Sequence, residues 1–531
     1  MENYNDSLIS QIRNRFSQDS QVVESCYKVN NEDISLFYIE SLIDKKLFSD
    51  SILSPIEQFV INKNNIQNVK NENISQNNDI IKLIKQKIVS ISSMEESADV
   101  ESIIKKILSG NVVIASNANA LICPIFGLQA RGVAEPPTSR VVKGPREGFV
   151  EDLPRNIGLI RKRLKTTDLK IIDMFVGTRT NTQISICYID GVAKKSIVDE
   201  VKQRIQKINI DGIIDSYYIE SFLEDDKLKF FKRVGNTEKP DILCAKILEG
   251  RVAILVDGSP IALTVPFVLF EDLQSAEDYY TIPAQATFVR IMRFVGLIFA
   301  ILIPGVYVAL QSFNYRILPI NFLITLLSSI EGLSVPPLIE LLVVLFLFEV
   351  ITEASLQMPN SLGMALSIIG ALALGNTAVD AGIISPPSIV IVAISSVALY
   401  IIPDQISETR LLRVLFTIIG GIIGLYGIVT SLIILTTYLC SIKSFGVPYM
   451  SPLAPSVKQD KKDAFIKVPV QEMITRPALI VGEDKTRQSN KDSKNCKNKE
   501  KNQKNNQKSN KIQEKLQNNS KESLWHLNNF T

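Results

Sequence analysis

IMRFVGLIFAILIPGVYVAL, residues 291–310, carries a single charged side chain, Arg293. It opens a mostly apolar block, roughly residues 291–440, without a lysine; the last lysine before it is Lys246 and the next is Lys443. A helix that faces water needs polar residues on its outer side at every turn. This block lacks them, so its outer side is written for lipid. The apolar segments fall at about 291–310, 317–330, 336–357, 363–383, 386–402 and 414–439. Pro336-Pro337 and Pro386-Pro387 open two of them, as suits helix starts. The 317–330 piece is short for a span and reads as re-entrant or interfacial. Arg290 and Arg293 flank the first span, and Lys443, Lys458, Lys461 and Lys462 follow the last. Positive flanks mark the cytoplasmic side, so both termini are expected there and the spans number four or six. Arg410 and Arg413, beside Asp404 and Glu408, complicate one loop.

Before this block, residues 81–285 alternate between helical and strand patterns. Gln183–Ile189 alternates like a strand and Asp190-Gly191 turns. Ser196 is expected to cap a helix whose stripe is Ile197, Val198, Val201, Ile205 and Ile208. Residues 107–114 resemble residues 247–254, each a helix end, a glycine stop and an apolar strand. The offset from Gly110 to Gly250 is 250 − 110 = 140 residues. The expected fold class is a multi-domain membrane protein, a soluble α/β region of two related lobes followed by an α-helical transmembrane bundle. Expected boundaries are a polar, partly disordered extension at 1–80, lobes at 81–185 and 186–285, and the bundle at 286–442. A cytoplasmic C-terminal segment at 443–484 and a disordered Lys/Asn-rich tail at 485–531 follow.

Composition excludes several function classes. The six cysteines are scattered without a Cys-x-x-Cys pair, which argues against zinc and against a disulfide framework. His526, in the polar tail, is the chain's one histidine, so a histidine triad or a His-ligated metal is excluded. A net charge of +3 on 531 residues gives no nucleic-acid signal. Met1–Ser20 has no apolar run of the signal-peptide kind. With no nucleophile–base pair and no nucleotide loop, the chain reads as a non-enzyme with no cofactor and no metal.

Three groups of residues stand out. Glu349 and Glu353 are four apart, as are Asn376 and Asp380; polar groups at membrane depth are costly and line a pathway, sit at the headgroups or bond to a neighbour. Gly363, Ser367, Ala371 and Gly375 make a small-residue seam, and Gly420 and Gly424 a second pair, suited to close helix contact within one chain or between chains. The third group lies in the aqueous segment from Glu135 and Pro136 through Gly144, Pro145, Arg146, Glu147, Gly148, Phe149 and Glu151 to Asn156, Arg161 and Arg163. Its glycines and proline specify a defined backbone, either a docking surface or a turn between the lobes.

That segment carries a resemblance. Together with Tyr218-Ile219-Glu220, Leu248-Glu249-Gly250-Arg251-Val252, Val256-Asp257-Gly258, Ala276-Glu277-Asp278-Tyr279-Tyr280 and Lys443-Ser444-Phe445-Gly446-Val447-Pro448-Tyr449, it resembles the A subunits of spore germinant receptors, the GerA family, over about residues 100–455. The resemblance implies a multi-pass receptor in the inner membrane of a dormant spore. It implies a permease-like B subunit that binds the small nutrient, a lipoprotein C subunit, and a homo-oligomer of A subunits that forms or gates an ion pathway. Other readings of the same block are a stand-alone secondary transporter, which needs an inverted repeat not found here, and a non-conducting scaffold.

Overall fold

The computed structural model describes residues 7–29, 32–58, 81, 84–85, 91, 94–127, 143–224, 230–331, 333, 335–357, 368, 370, 377–402 and 405–488. The first lobe holds α1 (Leu8–Arg15), β1 (Val22–Val29), β2 (Glu32–Ile39), α2 (Lys45–Phe48), β3 (Glu95–Ser97), α3 (Val100–Leu108), β4 (Val112–Ala115) and β5 (Ala120–Cys123). Its five-stranded sheet runs β1-β2-β4-β5-β3, antiparallel at every pairing. The second lobe holds α4 (Leu153–Arg163), β6 (Leu169–Val176), β7 (Thr182–Ile189), α5 (Lys195–Gln206), α6 (Ser216–Leu223), β8 (Gly235–Thr237), α7 (Pro240–Leu248), β9 (Val252–Val256) and β10 (Ala262–Val265). Its sheet runs β6-β7-β9-β10-β8, the same order with the same pairing sense. The repeat seen in residues 107–114 and 247–254 is therefore the repeat of a whole lobe.

Both sheet faces are covered, which follows from strands apolar at both alternating sets of positions. In β7, Ile184, Ile186 and Tyr188 face a core shared with α5 and α6. Cys187 and Ile189 face the opposite core, shared with α4 and α7. In β2, Ile34 and Leu36 point to one core, and Phe37 and Ile39 to another beneath α1 and α3. Gly110 and Gly250 end α3 and α7 at φ +85° and +97°, the left-handed stop expected of each.

The lobe boundaries differ from the expected ones. Lobe 1 begins in the polar N-terminal stretch, and β6 and β7 belong to lobe 2, so a division at residue 185 would cut β7. Flanking Asn, Gln and Lys hid the strand pattern of residues 22–39, where β2 is buried on both faces and β1 is only part-buried. Helix α5 starts at Lys195 with Lys194 at the N-cap and no side-chain cap, so Ser196 is not the cap. The lobes meet where Ser20 N–H donates to the Ile171 carbonyl at 3.1 Å and Lys170 Nζ to the Ser17 carbonyl at 2.8 Å.

The helical region contains α8 (Pro283–Ser312), α9 (Ile320–Ile330), α10 (Pro337–Gln357), α11 (Pro386–Leu399), α12 (Ile406–Ile423) and α13 (Leu425–Ser441). Among the described residues α8 is the one helix long and apolar enough to cross a membrane by those measures alone. Helices α9, α11 and α13 are apolar but shorter. Helices α8, α10, α11 and α12 pack together. The closest approach is Gly305 against Gly420, where a Cβ on Gly420 would sit 2.4 Å from the Gly305 carbonyl oxygen. Gly424 does not extend that seam. At φ +78° it breaks the chain between α12 and α13, which the sequence pattern joined as one segment. Gly363, Ser367, Ala371, Gly375 and Asn376 lie outside the described residues. After α13, the strands β11 (Lys443–Ser444) and β12 (Val447–Pro448) return the chain to lobe 2.

Candidate functional site

Two charged centres stand out, one where lobe 2 meets the helices and one inside the bundle. The first is built on the segment that leaves β10. Glu271 accepts from the backbone N–H of Val268 at 2.9 Å, pairs with Lys246 at 2.9 Å and accepts from Arg251. Asp272 pairs with Lys232 at 2.9 Å and accepts from Gln405 Nε2 at 3.2 Å. Ser275 N–H donates to Asp278, fixing its carboxylate within a capped 3-10 turn.

Asp278 then receives two arginines from the first turns of α8. Arg290 Nε donates at 2.9 Å and Arg293 Nη1 at 2.8 Å. Arg290 has no exposed surface, and its Nη1 also donates to the Asp463 carboxylate at 2.9 Å and the Asp463 carbonyl at 2.7 Å. Lys467 Nζ donates to the Asp278 carbonyl. Tyr279 donates its hydroxyl to Asp463 at 2.9 Å. Removing one member of such a buried set leaves the others charged and desolvated. The site therefore fixes lobe 2, the foot of α8 and the C-terminal segment as one piece.

The residues Lys443–Tyr449 complete this junction. Ser444 Oγ donates to the Arg233 carbonyl at 2.7 Å and accepts from Phe267 N–H at 3.0 Å. Phe445 enters the lobe 2 core, with the Arg204 guanidinium 4.5 Å above its ring. Tyr449 packs against Phe267 and Phe231 at centroid distances of 5.9 and 6.2 Å.

The aqueous signature segment binds inward. Lys239, fully buried, donates to the Pro145 carbonyl at 3.0 Å, and Phe149 N–H to the Glu238 carbonyl at 2.8 Å. Asn156 accepts from Val150 N–H at 2.9 Å and donates back to its carbonyl. Glu151 accepts from Gly258 N–H at 2.9 Å through its carbonyl. Glu147 pairs with Lys162 at 3.0 Å and with Arg163, while Arg146 is exposed. Arg161 is buried against Asp19 of lobe 1 at 2.5 Å. At Gly144, φ +123°, a Cβ would lie 2.7 Å from the Tyr280 ring. Within the chain, Gly144–Arg163 contacts both lobes and the junction. Gly148 and Phe149 are buried within it. Glu135 and Pro136 lie outside the described residues.

The second centre is Glu349 of α10. It pairs with Arg410 at 3.1 Å and with Arg413, both from α12. Arg413 also donates to Ser395 Oγ at 3.3 Å and Ser396 Oγ at 3.1 Å on α11, and Ser395 donates to the Ala300 carbonyl of α8 at 2.8 Å. One arginine thus joins four helices. Glu353, one turn on, is exposed and accepts from Gln357 Nε2 at 2.9 Å. Asp380 is also exposed. The structure therefore separates Glu349 from Glu353 and Asp380, a distinction the spacing of the sequence did not give. Sequence reasoning missed Asp278, Asp463 and Gly305; only Asp278, inside a quoted motif, left a signal.

The chain belongs to the Bacillus/Clostridium GerA spore germination protein family, which it matches over residues 10–479. The match begins within α1 and so takes in nearly all of lobe 1, well before residue 100. Spore germination protein KA of Bacillus subtilis (strain 168) is 35% identical over 90% of this chain and 87% of its own length. The uncharacterized membrane protein YfkQ of the same organism is 34% identical over 83% of this chain and 84% of its own. The N-terminal domain of the A subunit of the Bacillus megaterium spore germinant receptor GerK3, a crystal structure, aligns with 48% of this chain and 92% of its own length at 27% identity and a TM-score of 0.35.

Proposed function

We propose that this GerA family chain is the A subunit of a nutrient germinant receptor in the spore inner membrane. In this reading it oligomerises and forms or gates an ion pathway that starts germination. The observation that carries the gating half is the buried Arg290, held between Asp278 of lobe 2 and Asp463 of the C-terminal segment at the foot of α8. A displacement of lobe 2 must move that helix or break the set.

Membrane insertion is supported by the outward surface of the helices. Ile298 and Phe299 on α8, and Tyr426, Val429, Ile433 and Ile434 on α13, are exposed. A continuous apolar surface of this kind is stable in lipid and sticky in water. Since the chain leaves lobe 2 at α8 and returns to it at Tyr449, it crosses an even number of times, with both aqueous parts on the cytoplasmic side.

For the pathway, Glu353 and Asp380 are the candidates, because Glu349 is neutralised by two arginines. Repeated in a ring of chains, exposed carboxylates would favour cations. A permease-like B subunit and a lipoprotein C subunit are the expected partners, with the nutrient taken by the former.

The test is nutrient-dependent K⁺ or Na⁺ release from liposomes holding all receptor subunits. Release that requires this chain supports the reading, and Glu353→Gln should alter it. Liposomes that never conduct, whatever nutrient is added, remove the pathway. Normal nutrient response in spores lacking the chain removes the receptor role itself.

A further inference from the structure

The two lobes differ at one corner. In lobe 1, the chain after β5 folds back along the residues that follow β2. The Leu42 carbonyl accepts from Gly127 N–H at 3.0 Å, Asp44 N–H donates to the Ile125 carbonyl at 3.2 Å, and Ile43 bridges Phe126. The equivalent of Leu42 in lobe 2 is Val192, since β2 ends at Ile39 and β7 at Ile189. There the chain after β10 is unavailable, because from Pro266 it runs to the junction. The place is taken instead by the far C-terminal segment. The Val192 carbonyl accepts from Gly482 N–H at 2.7 Å, and Ala193 bridges Val481. Val481 is buried in the core beneath α4 and α7.

The inserted segment is one end of a strap, residues 474–488, closed on itself by a bridge between Thr475 and Thr486. Further bonds hold it: Lys194 Nζ donates to the Leu479 carbonyl, and Glu483 and Asp484 N–H donate to the Gly191 carbonyl at 3.2 and 3.0 Å. Arg476 Nε donates to the Leu248 carbonyl at 2.8 Å. Its other attachment is to the bundle, because Asp460 accepts from Ala478 N–H at 3.0 Å and Asp463 holds Arg290. The strap thus links lobe 2 to the foot of α8 by a route independent of residues 266–282.

Little packing lies beneath its outer end. Cavities of about 570 and 420 Å³ lie on either side of Glu249 and Arg487, whose charged groups stand 3.9 Å apart. The strap is therefore anchored at its tip, where Ile480 and Val481 are buried and Gly482 bonds the Val192 main chain, while its outer end lies over these cavities. Ends with few buried contacts open first, so release starts at the outer end and then frees the tip.

We propose that residues 474–488 are a detachable latch. Docked, they fix lobe 2 to the foot of the bundle; released, they free lobe 2 to move against α8 and open the pathway. This rests on the receptor reading above.

The experiment is a disulfide lock in the full-length chain, in spores with the partner subunits, made by Ala193→Cys with Val481→Cys. Facing residues of an antiparallel bridge lie within disulfide span. Once oxidised, the double variant should lose at least about tenfold of its nutrient-triggered fall in optical density, on the scale of roughly one factor of ten per 1.4 kcal/mol. Reductant should restore it, the reduced double variant serving as the control for the two substitutions. A second variant, Gly482→Val, sets a side chain against the Ala193 and Val192 carbonyl oxygens, 3.0 and 3.2 Å from an added Cβ. It should expose the strap to protease and lower the nutrient needed. A normal response with the disulfide formed, or with the strap shown displaced, overturns the latch. Spores without the chain that still respond overturn the receptor reading instead.

Discussion

Lobe 1 and lobe 2 are two copies of one sheet that end differently. Lobe 1 is finished within its own stretch of chain, by Gly127 bonded to Leu42. Lobe 2 sends its continuation to the helices and is finished by Gly482, on the far side of the bundle. A duplicated unit can thus become a coupling element without a new fold, by redirecting one connection and filling the gap from elsewhere. One ion pair beside each lobe shows the contrast. The α1 pair, Arg13 with Glu24, sits at the surface, whereas Arg290 beside lobe 2 is fully buried.

The sharpest way to break this comparison is Arg290→Ala. It removes the buried cation that Asp278 and Asp463 share and should cost about 3–5 kcal/mol. Arg13→Ala should cost under about 1 kcal/mol. Thermal unfolding of the detergent-solubilised chain, followed by circular dichroism, measures both, and equal effects would dissolve the distinction. Next come the paired glycines. Gly250→Ala and Gly110→Ala each carry the left-handed penalty of about 1–2 kcal/mol. At Gly250 the added Cβ would also meet the Val192 carbonyl at 2.9 Å and the backbone of Val481 at 3.2 Å. At Gly110 the nearest group is the half-exposed Phe126 ring, which can turn aside. Gly250→Ala should therefore be the more damaging and should speed cleavage within residues 474–488.

A smaller effect belongs to Asp215, the N-cap of α6, whose carboxylate accepts from Tyr217 N–H and Ser259 Oγ. Asp215→Ala should cost about 1 kcal/mol. Burial works against the charged form, but the Ser259 hydroxyl and the N–H groups of Tyr217 and Ser216 outweigh it, holding the carboxyl below its ordinary value of 3.8. Its contribution is therefore present at neutral pH and lost only as pH falls through that lowered value. The wild type and Asp215→Ala should converge in stability on strong acidification. The smallest effect is Glu249→Gln. Burial raises this carboxyl despite Arg251, with Asp463 adding and Arg487 and Lys246 opposing. A raised carboxyl favours the fold below its unfolded pKa and loses that contribution as pH rises through the folded one. At pH 7 the amide should leave melting unchanged or raise it by up to roughly 1 kcal/mol, and the gain should vanish near pH 4.

The helical block and the paired helix–glycine–strand units were legible because each is written in consecutive residues. So was the face of α5, where Ile197, Val198, Val201 and Ile205 are all buried. What was not legible depends on partners distant in the chain. The strand of residues 32–39 shows no one-sided alternation, since it buries Ile34 and Leu36 on one face and Ser35, Phe37 and Ile39 on the other. Glu349 and Glu353 look alike by spacing, and only the arginines of α12, more than fifty residues on, tell them apart. Asp463 sits in a run of charges with nothing to mark it until Arg290 is seen against it. Gly420 lies against Gly305, whereas Gly424 was read by spacing when its backbone conformation decides its role.

The borrowed corner of lobe 2 also orders events on the ribosome. Lobe 1 has everything it needs once residue 127 has emerged, whereas lobe 2 waits for Gly482, made after every described helix of the bundle. Nascent chains stalled near residue 470 should therefore carry a protease-resistant first half and a loose second one.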